Sequence, residues 1–195
     1  MRATHARRAI ACALSTLAAA ACLAGLPGHA AAERYIGLGG GVALPYQGEV
    51  GWTVLGEIGG HMWGSKHFLG GTEFEFRRQD ASPTTGTEHV PVDLYNVRLL
   101  GRFVFSPKTI SPYIGLGGGL GAVHARETST DDSEVGLSAS ILGLAGLHVP
   151  FAEGRIAFFT EARFGFTWDL TGDFSHVDPK GMDGFTAVGG LRFRF

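Results

Sequence analysis

From Phe185 to Phe195 the chain alternates between two kinds of side chain. Phe185, Ala187, Gly189, Leu191, Phe193 and Phe195 share one parity, and Thr186, Val188, Gly190, Arg192 and Arg194 share the other. Successive side chains of a β-strand point to opposite faces, so a strand puts the phenylalanines on one side and the arginines on the other. A helix cannot do this. At ~3.6 residues per turn, the arginines and phenylalanines of 191–195 would spread around the whole cylinder. The segment demands a sheet with one strongly apolar face and one charged face.

The pattern recurs upstream. Ile156, Phe158, Ala162, Phe164, Phe166 and Trp168 oppose Glu161, Arg163 and Asp169. Tyr95, Val97, Leu99, Phe103 and Phe105 oppose Asn96, Arg98 and Arg102, and Phe68, Phe74 and Phe76 oppose Glu73, Glu75 and Arg77. Trp52, Val54, Ile58 and Met62 lie opposite Glu57 and His61. Eight segments carry strand periodicity and length, over 34–44, 52–63, 67–79, 92–105, 112–126, 135–149, 155–169 and 183–195. Most exceed the ordinary globular strand, as a tilted strand crossing a bilayer must. The reading is an all-β chain: an eight-stranded antiparallel transmembrane β-barrel in an up-and-down meander.

Two segments are glycine-rich, Ile36-Gly37-Leu38-Gly39-Gly40-Gly41 and Ile114-Gly115-Leu116-Gly117-Gly118-Gly119, each preceded by a tyrosine, Tyr35 and Tyr113. Neither has the lysine and hydroxyl residue of a phosphate-cradling loop, and no helix follows. Interior glycines instead leave room for large arginines from neighbouring strands. The sixth segment is ambiguous. Ser138 and Ser140 share parity with Leu142 and Leu144, which requires either a bulge or an apolar interior layer.

The first 32 residues read as an export signal. Arg2, Arg7 and Arg8 precede an apolar run from Ala9 to Leu26, and Ala30-Ala31-Ala32 offers a small-residue cleavage site before Glu33. The expected organisation is a signal over 1–32 and a barrel domain over 33–195. Both cysteines, Cys12 and Cys22, fall in the signal, and Cys22 lacks the leucine three residues earlier that a lipoprotein signal carries. A mature chain without cysteine crosses an oxidising compartment without disulfide trapping.

From Glu33 onward 13 basic and 18 acidic residues give a formal charge of −5. No basic stripe survives, which argues against nucleic acid as a partner. Charged residues are only 17% of the whole chain, and their strand parity places them together on the inner face: Glu57, Glu73, Glu75, Arg77, Arg98, Arg102, Glu161, Arg163, Arg192 and Arg194. On the lipid face, arginine at the bilayer midplane costs roughly 2–4 kcal/mol. Turned inward, these groups pair with one another. An eight-stranded barrel has an interior about wide enough for side chains to fill, so a plugged lumen is favoured over an open pore. The longer connections, near 45–51, 80–91, 127–134 and 170–182, alternate with short ones and fall on the exterior. Several are acidic, but their spacing matches no calcium loop, and the histidines have no recognised zinc spacing. No metal, cofactor or catalytic site is expected.

The signal segment, Ser-Pro-Tyr-Ile-Gly-Leu-Gly-Gly-Gly at 111–119 and Gly-Gly-Leu-Arg-Phe-Arg-Phe at 189–195 together resemble small outer-membrane β-barrel proteins. The group is the OmpA/OmpX-like transmembrane barrels, also described as opacity-like or porin-family proteins. The resemblance implies the outer membrane of a Gram-negative bacterium and contact with outer-membrane lipids and lipopolysaccharide. It further implies a structural or surface-interaction role toward a host or cell-surface ligand. Through it, Leu191, Phe193 and Phe195 correspond to the signal that the barrel-insertion machinery reads. Two alternatives accompany this reading, a narrow small-solute channel and a lipid A-modifying enzyme such as a deacylase. The deacylase would place a serine two residues after His124, where this chain has Arg126, with Ser129 further on. Hydrolysis needs an activated hydroxyl beside a base, and the spacing supplies none.

Overall fold

The structure is a computed structural model, and it describes residues 33–46, 49–81, 90–106, 110–126, 133–171 and 183–195. The expected export signal at 1–32 and most of the expected outer-loop residues lie outside the described residues. Eight strands follow one another: β1 (Arg34–Pro45), β2 (Gly51–His61), β3 (Phe68–Ala81), β4 (Val90–Val104), β5 (Ser111–Arg126), β6 (Ser133–Phe151), β7 (Ile156–Asp169) and β8 (Gly184–Arg194). Each pairs antiparallel with the next, and β8 pairs with β1 to close the barrel. Closure removes the unpaired sheet edges that lipid cannot tolerate.

The register fixes the barrel's shape. Stepping across paired residues from Tyr35 passes Gly59, Gly71, Leu100, Gly117, Leu142, Gly165 and Gly184, and returns to β1 at Pro45, ten residues further on. A stagger of this size tilts the strands by roughly 40° at the usual strand spacing. The outward residues of β7, from Ile156 to Trp168, then span about 30 Å along the axis, enough to cover the ~25 Å apolar band of a membrane barrel.

The distribution of polarity is the reverse of a water-soluble protein's. Leu38, Leu116 and Ile141 are 61%, 74% and 51% exposed on the outer wall, while Glu73 and Arg192 are 0% and 1% exposed within. Soluble monomers seldom show so continuous an apolar surface. Lipid is the solvent that suits it. Among the described residues no helix is long and apolar enough to cross a membrane; the strands do the crossing.

β6 settles its ambiguity without a bulge. Its pairing with β5 runs unbroken from Ser133 to His148, so Ser138, Ser140, Leu142 and Leu144 all face inward. The two leucines join Tyr35, Leu69, Leu100, Val104 and Tyr113 in an apolar interior layer. A second apolar cluster, Val90, Val92, Leu94, Val123 and Ala125, lines the interior toward the end opposite the termini, here termed the loop end.

Candidate functional site

The polar core of the lumen is built from strand parity. Glu57, Glu73, Glu75 and Glu161 face Arg98, Arg102, Arg163 and Arg192, and all eight are buried, so the sealed charges balance four against four. Isolated buried ions are costly, and such a core is stable only when every charge finds partners in good geometry.

The lower part centres on two carboxylates. Arg102 donates to Glu57 at 2.7 Å and to Glu161 at 3.1 Å, and its remaining terminal nitrogen donates to the Tyr35 hydroxyl at 3.1 Å. Arg192 donates to Glu57 through Nε and to Glu161 through Nη2 at 2.8 Å. The Tyr113 hydroxyl donates to Glu161 at 2.7 Å and accepts from Arg192 at 3.3 Å.

The upper part centres on β3. Glu75 accepts from Arg98, from Asn96 at 3.1 Å, from the Thr53 hydroxyl at 3.0 Å and from Arg77 at 3.0 Å. Arg98 also donates to the Ser140 hydroxyl at 3.1 Å. Arg163 joins the two parts: its terminal nitrogens clasp Glu73 at 3.0 and 2.7 Å, while Nε donates to Glu161 at 2.8 Å. Two parallel bonds of this kind fix orientation as well as charge.

Arg194, expected in the same network, lies apart from it. It is the last inward position of β8, at the rim that carries the termini, where its guanidinium sits 3.6 Å from the exposed Glu33. Water reaches that rim, so Arg194 has no need of a buried partner. His61 reaches the same carboxylate at 3.5 Å.

Three aromatic side chains complete the lumen: Tyr35 and Tyr113, which precede the two glycine-rich segments, and Phe159, which was not singled out in the sequence. The Arg192 guanidinium lies 4.2 Å from the Phe159 ring centroid, 5.5 Å from that of Tyr35 and 5.4 Å from that of Tyr113. Such contacts between a cation and ring faces stabilise a desolvated guanidinium. Phe159 shares parity with Glu161 and Arg163, so its inward position was available from the alternation. Each tyrosine lies over a glycine on the next strand. A Cβ at Gly59 would stand 2.7 Å from the Tyr35 hydroxyl oxygen, and one at Gly146 would stand 2.7 Å from Cζ of Tyr113. The glycines opposite the two Tyr-Ile-Gly-Leu-Gly-Gly-Gly motifs are therefore the seats of these rings.

A cavity of about 10 Å3 is lined by Arg77, Arg98, Ser140, Arg163, Thr167 and Thr186 among others, which is room for about one water. Among the described residues no group of three His, Cys, Asp or Glu side chains could hold a metal ion. His124 is on the outer wall, paired laterally with Asp93, and Arg126 follows it on the same face. Ser129 lies outside the described residues. Leu191, Phe193 and Phe195 all face outward and are exposed. The Phe195 amide donates to the Arg34 carbonyl at 3.0 Å, extending the closing pair to its last residue.

No family model matches the chain, and no curated protein does. Solved structures do. Neisserial surface protein A aligns over 84% of this chain and 97% of its own at TM-score 0.55 and 11% identity. A major outer membrane protein from Thermus thermophilus aligns over 85% of this chain and 100% of its own at TM-score 0.53 and 10% identity. This is the fold of a small outer-membrane barrel. In such a barrel the inner network is sheltered from lipid on every side, and the outward phenylalanines, leucines and isoleucines take the acyl chains.

Proposed function

We propose that the chain is a sealed outer-membrane barrel of a Gram-negative bacterium, serving as envelope structure and presenting its loop end to molecules outside the cell. The observation that carries this reading is the Arg–Glu core. Four buried guanidiniums and four buried carboxylates occupy the lumen at hydrogen-bond distances, with the half-buried Arg77 on Glu75 and apolar layers beside them. A conducting pore needs a continuous aqueous path, and this core fills the cross-section of the barrel with side chains tied to one another. Residues 1–32 serve as the export signal that is removed. Leu191, Phe193 and Phe195 serve as the segment read by the insertion machinery, a role supported by their outward position on the closing strand.

Planar-bilayer recording on the refolded barrel tests the sealed lumen. The expected record is flat at voltages where control porins open. Reproducible unitary openings whose size depends on the charge of the permeant ion would overturn it in favour of a narrow channel.

A further inference from the structure

The outer wall is not uniform around its circumference. Stepping from Trp52 across the outward row leads to Arg78, Asp93 and His124 on β3, β4 and β5. Each step toward β8 climbs about 3 Å toward the loop end at ~4.8 Å strand spacing and ~40° tilt. These three residues therefore stand about 3, 6 and 9 Å above Trp52, and Arg126 stands about 5 Å higher than His124. At similar heights on the far wall the exposed outward side chains include Tyr46, Trp168 and Leu170, apolar or aromatic, with Asp183 tied to the Thr167 amide beside them. Directly beneath the charged sector lies an aromatic ladder: Trp52 and Phe76 are 5.2 Å apart between ring centroids, and Phe76 and Tyr95 are 5.0 Å apart.

We propose that this sector of β3–β5 binds the phosphorylated headgroup of an outer-leaflet glycolipid, with the acyl chains lying on the aromatic ladder below. The occupant is indicated by position. The sector is continuous with the lipid-facing belt and begins where the outward apolar side chains of β3–β5 end, at the level of lipid phosphates on this side of the barrel. Arg78 is the central group. Its side chain is 53% exposed, and its Nε lies 3.7 Å from Asp93 Oδ1, an ion pair beyond hydrogen-bond distance. A guanidinium fork matches phosphate oxygens in pairs. His124, beside Asp93, and Arg126 extend the surface upward. Asp80, on the same face of β3, makes the sector mixed in charge, so recognition of the headgroup rests on the exposed Arg78 guanidinium rather than on net charge. The inference rests on the membrane reading of the barrel.

The test is retention of lipid by the full barrel, reconstituted in phosphatidylcholine vesicles with or without bisphosphorylated lipid A, then extracted and weighed by native mass spectrometry. EDTA is present throughout, so that no divalent cation bridges Asp80 to the phosphate. The wild type is expected to retain bisphosphorylated lipid A. The double substitution Arg78→Gln/Arg126→Gln should lower retention about tenfold, the scale of one or two charge-assisted hydrogen bonds. Arg155→Gln, at the opposite end of the barrel, should leave retention unchanged, and dephosphorylated lipid A should bind the wild type as weakly as the double variant binds the phosphorylated form. Equal retention by wild type and double variant, or of both lipid forms, would overturn the proposal. Displacement of lipid A by equimolar inorganic phosphate would also overturn it, by showing a free-phosphate site. A wild type that fails to insert into vesicles would contradict the membrane reading and this inference with it. Insertion with indifferent retention contradicts this inference alone.

Discussion

Arg163 and Glu73 meet across the lumen from β7 and β3, with two parallel hydrogen bonds of 3.0 and 2.7 Å between guanidinium and carboxylate. The same arginine also holds Glu161, so it ties the upper carboxylates to the lower pair. Removing one partner leaves a buried charge without its counterpart, which typically costs about 3–5 kcal/mol, whereas replacing both with apolar groups is often close to neutral. Arg163→Met is therefore expected to destabilise the barrel by about 3–5 kcal/mol in urea unfolding. Glu73→Gln should cost less, because an amide still accepts a hydrogen bond. The double variant Arg163→Met/Glu73→Met should recover part of the loss. Additive losses in the double variant would show that the pair is not coupled.

The tyrosine seats make a second prediction. Gly146→Ala presses a methyl against the Thr160 carbonyl oxygen and puts it 2.7 Å from Cζ of Tyr113, whose ring cannot retreat without breaking its 2.7 Å bond to Glu161. Overpacking of this kind costs about 1–3 kcal/mol. Gly143→Ala on the same strand meets only Leu116 Cδ2 at 3.9 Å and is expected to be nearly neutral. Denaturant midpoints of the two variants, measured side by side, check the contrast. Equal effects would contradict the crowding of Gly146 between the Thr160 carbonyl and the Tyr113 ring.

The β2–β3 turn carries a third. Trp63 has φ +54° and Gly64 has φ +68°, two successive residues in the left-handed region that asparagine and glycine occupy more readily. A bulky residue there stores roughly 1 kcal/mol or more of backbone strain. Yet the indole is 81% exposed, touching Phe68 edge-to-face at 5.7 Å. Its ring is placed to anchor the terminal rim at the membrane interface. Trp63→Asn should stabilise the barrel in detergent by about 1 kcal/mol through relief of that strain, and the gain should vanish or reverse in phospholipid vesicles. Unfolding free energies in the two media test this. An equal loss in both would assign the ring to packing on Phe68 instead.

The alternation made most of the fold legible. Every strand can be placed from residues such as Phe193 and Arg194, which take opposite faces because a strand allows nothing else. The partners within the lumen were a different matter. Parity shows that Glu161 and Arg192 face inward, but their meeting depends on the stagger of ten residues around the barrel, a property of all eight registers together. Arg194 has the right parity and sits two residues from Arg192, yet it falls at the wet rim because strand parity carries no information about depth. Phe159 went unnoticed for the opposite reason. An inward phenylalanine looks misplaced among charges until the Arg192 guanidinium is seen 4.2 Å from its ring. The charged sector of Arg78, Asp93 and His124 was likewise hidden, since its members come together only through lateral pairing of three strands.

The central claim is that the barrel is polar within and apolar toward lipid. Residues 33–195 contain no cysteine, so single cysteines can be introduced along β7 from Phe158 to Trp168 and spin-labelled in vesicles. Collision with lipid-soluble oxygen should then alternate with a period of two. It should be high at Phe158, Thr160, Ala162, Phe164 and Phe166 and low at Phe159, Glu161 and Arg163, with a water-soluble relaxant excluded from the outward set. Loss of that period, or access of the water-soluble relaxant to the outward residues, would contradict the account.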